Sequence, residues 1–134
     1  MRSPLAAATA AVLSSALLAG SALIGLPLGR PQAALAQESP VPFSAVRALN
    51  LARNTAIQRN GGLGVYRPAQ CMYETASAGN KCLISTTSEG YQFRFLGGTP
   101  GWQQLNLPPT VETEIQISGD GRTVLAVAYN GAPR

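Results

Sequence analysis

The sequence predicts an α+β fold: one N-terminal helix packed on a three- to four-stranded antiparallel meander sheet. Three observations carry this. Apolar residues recur with helical periodicity from Ala45 to about Asn60. Strict alternation replaces that period in Tyr91–Leu96 and again in Val111–Ser118. Gly119-Asp120-Gly121 then joins the second of these strands to an apolar run over Thr123–Tyr129, the pattern of an antiparallel hairpin.

Ahead of the helix lies a segment of different composition. Residues 1–36 contain 22 apolar residues and no acid, whereas all six acids and all eight aromatics lie beyond them. Arg2 gives a positive start, Leu5–Leu28 is uncharged, and Ala34-Leu35-Ala36 fits the small-x-small pattern of a signal-peptidase site. A cleaved signal peptide over residues 1–36 is therefore expected, and with it a periplasmic or secreted protein. The 24 residues of Leu5–Leu28 exceed the usual apolar signal core of ~7–15 and reach the ~20 that span a bilayer. A retained anchor, and so a membrane-tethered structural protein, is the alternative; contact with a membrane is expected only in that case. Residues 37–43 read as an extended lead-in with two prolines, and residues 44–134 as a single domain.

Ser44 is placed to cap the helix. Ala45, Val46, Ala48, Leu49, Ala52, Ala56 and Ile57 share one half of the helical wheel, Leu51 falls on the polar side, and Arg53 and Arg59 must snorkel outward. Gly61-Gly62 ends the helix. Leu63–Arg67 is a short candidate strand and Lys81–Thr87 a second. In Tyr91–Leu96 three aromatics alternate with Gln92 and Arg94, as in a half-buried strand. Gly97–Pro109 reads as a loop. Val111, Thr113, Ile115 and Ile117 face the core, opposite Glu112, Glu114, Gln116 and Ser118. In Thr123–Tyr129, Leu125, Val127 and Tyr129 share one face and Ala126 and Ala128 the other, so cover on both sides is expected.

Cys71 and Cys82 are the only cysteines. An even count in a small exported domain reads as a disulfide, here enclosing Ser77, Gly79 and Asn80, which favour a turn.

Leu51-Ala52-Arg53-Asn54-Thr55-Ala56-Ile57-Gln58-Arg59-Asn60 resembles the Ala-Arg-x-x-Ala-Ile helix end of the minor pilin-like (pseudopilin) proteins of type IV pili and type II secretion. Gly101-Trp102 is similar to a Gly-Trp that they carry. The resemblance implies a helix on an antiparallel sheet, and an accessory of a pilus or secretion machine. The Gly-Phe-type cleavage site and the long apolar assembly helix of that family have no counterpart here. In element order the chain is also similar to cystatins, without their Gln-x-Val-x-Gly loop, and in size to PepSY-like domains. It looks like the many small exported proteins of bacteria.

Composition excludes several chemistries. With no histidine there is no Ser-His or Cys-His pair and no His-ligated metal. Beyond residue 36 eight basic residues face six acids, a net +2 that argues against nucleic acid as a partner. Tyr91, Phe93 and Phe95 are accordingly read as core, not as a stacking platform. Glu112 and Glu114 could act as paired carboxylates in a cleft, but their alternation assigns them to a solvated face. Asp120 reads as a turn residue rather than a calcium ligand. The hydroxyls of Ser85–Ser88 have only Lys81 nearby to activate them. Arg47, Arg53, Arg59 and Arg67 do not line up as one basic strip. Trp102 is the candidate binding anchor, with Gln103 and Gln104 beside it; the competing reading folds Trp102 back as a cap on a small core.

The expectation is thus a non-catalytic exported module that needs no cofactor or metal and binds an extracytoplasmic protein or polymer. The alternatives are a pseudopilin-like accessory, a peptidase inhibitor or modulator using the Trp102 loop, and a small enzyme using Glu112 and Glu114.

Overall fold

In the computed structural model, which describes residues 40–134, one helix lies across one face of an antiparallel sheet. The expected signal peptide and the start of the lead-in lie outside the described residues. The helix, α1, spans Phe43–Arg59, and the strands are β1 (Arg67–Pro68), β2 (Leu83–Thr86), β3 (Gly90–Gly98), β4 (Val111–Ser118) and β5 (Val124–Gly131). A 3₁₀ turn, Gln70–Tyr73, follows β1. Strands β2 to β5 form the expected meander, while β1 pairs with the far end of β3 through Arg67↔Gly98 and Pro68↔Gly97.

An alanine stripe sets the helix close to the sheet. Ala45, Ala48, Ala52 and Ala56 are almost wholly buried with Leu49, and face a core built on Phe93, Phe95, Ile115 and Ile117. Leu51 packs on this core, while Val46 faces solvent. The wheel misplaced both residues. At the C-terminus, Gly61 takes φ 92°, and the amides of Gly61 and Gly62 donate to the carbonyls of Gln58 and Ile57. This paired closure satisfies two carbonyls that the helix leaves open. Ser44 does not cap the N-terminus. The helix begins two residues earlier than expected, at Phe43 behind Pro42, and the Ser44 hydroxyl instead meets the Tyr91 hydroxyl at 2.7 Å.

Three strand expectations change. Leu63–Tyr66 is a turn, and only Arg67–Pro68 of that segment pairs with the sheet. Gly97 and Gly98 extend β3 instead of opening a loop. A Cβ on Gly97 would collide with the Tyr66 ring, and one on Gly98 would lie 2.9 Å from the Trp102 ring. Successive strand positions point to opposite faces, so the two rings sit on opposite sides of the sheet.

The third change is in β5. Its register slips against β4 between Glu114 and Ile115 and again between Gln116 and Ile117, leaving Ala128 and Leu125 unpaired. The residues opposite core-facing Thr113, Ile115 and Ile117 become Asn130, Val127 and Val124, a spacing of three instead of two. Leu125 is 54% exposed, and Ala126 and Ala128 are exposed too. Among the described residues β5 is an edge strand, with only one face covered.

Asn130 ties this edge to the helix end. It exchanges amide hydrogen bonds with Asn60 at 3.2 and 3.0 Å, and its Oδ1 also accepts from the Thr113 hydroxyl at 2.8 Å. The nearby Tyr66 hydroxyl is buried without a hydrogen-bond partner among the described residues. Burial raises its pKa.

Candidate functional site

Trp102 is buried, and it closes a cleft instead of projecting from one. Its loop folds on itself through Trp102 N–H to Thr99, Leu105 N–H to Gly101 and Leu107 N–H to Trp102 carbonyls. The indole lies against Gly98, and its Nε1–H donates to the Arg67 carbonyl at 3.0 Å. This is the folded-back arrangement, although Trp102 caps the end of the sheet away from the helix-side core. The Gln103 Oε1 accepts from the Gln70 amide at 2.7 Å. Gln104 is exposed.

These two bonds join the walls of an open cleft of about 430 Å³. One wall is Arg67 and Pro68 of β1 with Gln70 and Tyr73 of the 3₁₀ turn; the other is Pro100–Gln104. The three residues expected to bind, Trp102, Gln103 and Gln104, therefore do lie together in one concavity. Arg67 was weighed only as part of a basic strip, and Gln70 and Tyr73 were not singled out. The signal for Gln70 and Tyr73 was Cys71: a disulfide to Cys82 fixes the short turn that carries them.

That disulfide is present, with Cα atoms 5.8 Å apart. Asn80, buried inside the loop, reinforces it. Its amide donates to the carbonyls of Cys71 (2.8 Å) and Thr75 (3.0 Å), and its Oδ1 accepts from the Cys82 amide (2.8 Å). Arg53 snorkels as expected, donating to the Met72 carbonyl at 3.0 Å with its guanidinium 4.9 Å from the centre of the Tyr73 ring.

Glu112 and Glu114 do project from the outer sheet face, but they are not solvated. Their side chains are only 9% and 13% exposed. Arg134 donates to Glu112 through both its backbone amide and its guanidinium (2.9 Å each) and to Glu114 at 3.0 Å, while its guanidinium stacks 3.8 Å from the Tyr129 ring centre. Arg94 reaches Glu114 at 3.2 Å, and Gln92 donates to it at 2.8 Å. Sequence reading missed this cover, because Arg134 lies 22 residues from Glu112.

Hydrogen bonds from the Arg134 amide and then its guanidinium hold the Glu112 carboxyl below its ordinary value, and the Arg134 guanidinium does the same for Glu114. Neither carboxyl is poised as a general acid near neutral pH. The sign for stability follows from the folded pKa lying below the unfolded one. The network's contribution is fully present above the unfolded value near 4.5 and is lost as pH falls through the lower folded value. The urea midpoint is therefore expected to fall from pH 5 towards pH 3, and to fall less in the Glu112→Gln/Glu114→Gln variant. Equal slopes would contradict the network.

Asp120 is a turn residue, its carboxylate accepting from the Ser118 hydroxyl and the Arg122 amide. Tyr91, Phe93 and Phe95 are core residues. Arg47 is engaged on the Asp120 carbonyl and Arg53 at Tyr73. Among the described residues no group of three or more His, Cys, Asp or Glu could hold a metal ion, and no helix is long and apolar enough to cross a membrane. Comparison with protein families, curated proteins and solved structures finds no match for this chain.

Proposed function

We propose that the chain is a small exported, non-catalytic binding module, periplasmic or secreted, whose ligand surface is the Trp102 cleft. The observation that carries this reading is the make-up of the cleft: aromatic, proline and amide side chains around one guanidinium, with no carboxylate, lysine or thiol lining it. Such a wall positions a ligand by contact and hydrogen bonding, and its one hydroxyl side chain, Tyr73, has no carboxylate, lysine or histidine beside it in the lining. The disulfide supports an oxidising, extracytoplasmic compartment.

The test is capture from the extracytoplasmic fraction of the native cells by immobilised full-length chain. A Tyr73→Ala/Gln104→Ala variant should retain about tenfold less material, and an Arg122→Gln control on the remote hairpin should match the parent. Undiminished capture by the cleft variant would remove the cleft as the binding surface.

One further observation favours the peptidase-modulator reading. The same loop displays Leu105 at 66% exposure beside Asn106 at φ 53°, a fixed apolar tip. On that reading Leu105, not the buried Trp102, is the residue that enters a partner. Inhibition of an extracytoplasmic peptidase that survives Trp102→Phe and is lost in Leu105→Ala is the expected result.

A further inference from the structure

We propose that the cleft takes an acidic oligosaccharide, a sugar chain whose carboxylate pairs with Arg67; this rests on the cleft being the binding surface. No Leu, Ile, Val, Met or Phe side chain lines the cleft, so it lacks the apolar side-chain pockets that hold an amphipathic helix. The Trp102 indole N–H, the donor that would fix a peptide carbonyl, is already spent on Arg67.

What remains suits a sugar. Pyranose rings present C–H groups on their faces and hydroxyls around their rims. The faces lie against aromatic and proline rings, and the rims pair with planar amides and guanidinium. Tyr73 is 45% exposed and also borders a second groove beside α1, which Arg53 lines and the Trp102 cleft does not share. The Arg53 guanidinium lies 4.9 Å from the centre of the Tyr73 ring, and the same ring lines the cleft. Gln70, Gln103 and Gln104 supply amides. In Gln103 the Oε1 is occupied by the Gln70 amide, so its NH₂ is what faces outward as a donor.

Charge selects among sugars. Arg67 is the one ionisable cation lining the cleft; its guanidinium has no ion-pair partner among the described residues, and no acid lines the cleft to neutralise it. A guanidinium fork is matched by a carboxylate, two parallel hydrogen bonds replacing one. A uronate supplies that group on the ring itself. A neutral glycan would leave the charge unanswered.

Trp102 is the only tryptophan and lines the cleft, so its emission reports occupancy directly. The experiment titrates the oxidised full-length chain with trigalacturonate, trimannuronate, a hyaluronan tetrasaccharide and the fully methyl-esterified trigalacturonate. The ester keeps the rings and removes the charge. At least one acid should shift the Trp102 emission saturably and bind about tenfold or more tighter than the ester. Arg67→Gln should bring every acid that binds down to the ester's affinity, while Tyr73→Ala weakens acid and ester alike about tenfold. Circular dichroism and the alkylation-resistant disulfide establish that each variant is folded. Equal binding of acid and ester, binding unchanged by Arg67→Gln, or no binding of any acid at about 10 mM would overturn the proposal. Its failure is separable from that of the binding-module reading: if capture from native cells still depends on Tyr73 and Gln104, the cleft stands and only the sugar is wrong.

Discussion

Gly121→Ala is expected to destabilise the protein by about 3 kcal/mol, against about 1 kcal/mol for Gly62→Ala. Both glycines have positive φ, 75° and 91°, so both substitutions force an alanine into the left-handed region. Only Gly121 adds a collision. Its Cβ would run into the Ser44 carbonyl oxygen and lie 2.9 Å from the Ala48 nitrogen, whereas at Gly62 nothing lies within 4 Å. The atoms in the way are backbone of the first helical turn and cannot swing aside. The hairpin turn must lift from the helix instead, loosening the bonds of 3.1 and 2.8 Å from the Arg47 guanidinium to the Asp120 carbonyl. Urea unfolding of both variants measures the difference. Equal costs would mean that the turn does not rest on the helix as described.

Removing the disulfide in Cys71→Ala/Cys82→Ala should cost about 3 kcal/mol, the chain-entropy value for closing a loop of a dozen or so residues. Asn80→Ala should cost about 1–3 kcal/mol, because it strips partners from the Cys71 and Thr75 carbonyls and from the buried Cys82 amide. The two devices order the same loop, so the triple variant should fall short of additivity by about 1 kcal/mol. The site should suffer beyond the loss of stability. Tyr73 and Gln70 flank Cys71 in the 3₁₀ turn, while Met72, fully buried, remains anchored in the core. The expected picture is a retained sheet with a loosened cleft wall. Full additivity would indicate that the bridge and Asn80 act on separate parts of the fold.

The elements legible in the sequence were those whose period was uniform. The aromatics of β3, the alternation of β4 and the alanine stripe of α1 each repeat one geometry over at least two turns or pleats, and all three sit where expected. β5 was misread because two bulges change its period within eight residues, and alternation counted on from Thr123 puts Tyr129 on the core side. Gly97 and Gly98 read as loop because nothing local reveals that two distant rings need the space above them. Half of the cleft was legible, since Trp102 with two glutamines in a glycine- and proline-rich segment is conspicuous. The other half arrives through the two-residue pairing of β1 with the end of β3 and through the disulfide. Neither leaves a periodic trace. Glu112 and Glu114 alternated correctly, yet their cover by Arg134 and Arg94 is a contact between separate segments.

The central claim is that this module works through the cleft between the 3₁₀ turn and the Trp102 loop. Hydrogen exchange of the oxidised full-length chain, with and without the extracytoplasmic fraction of its native cells, tests that claim most directly. Slowed exchange confined to residues 67–73 and 100–104 is the predicted result. Protection instead along β5, or on the outer face around Arg94 and Arg134, with the cleft unchanged, would contradict it.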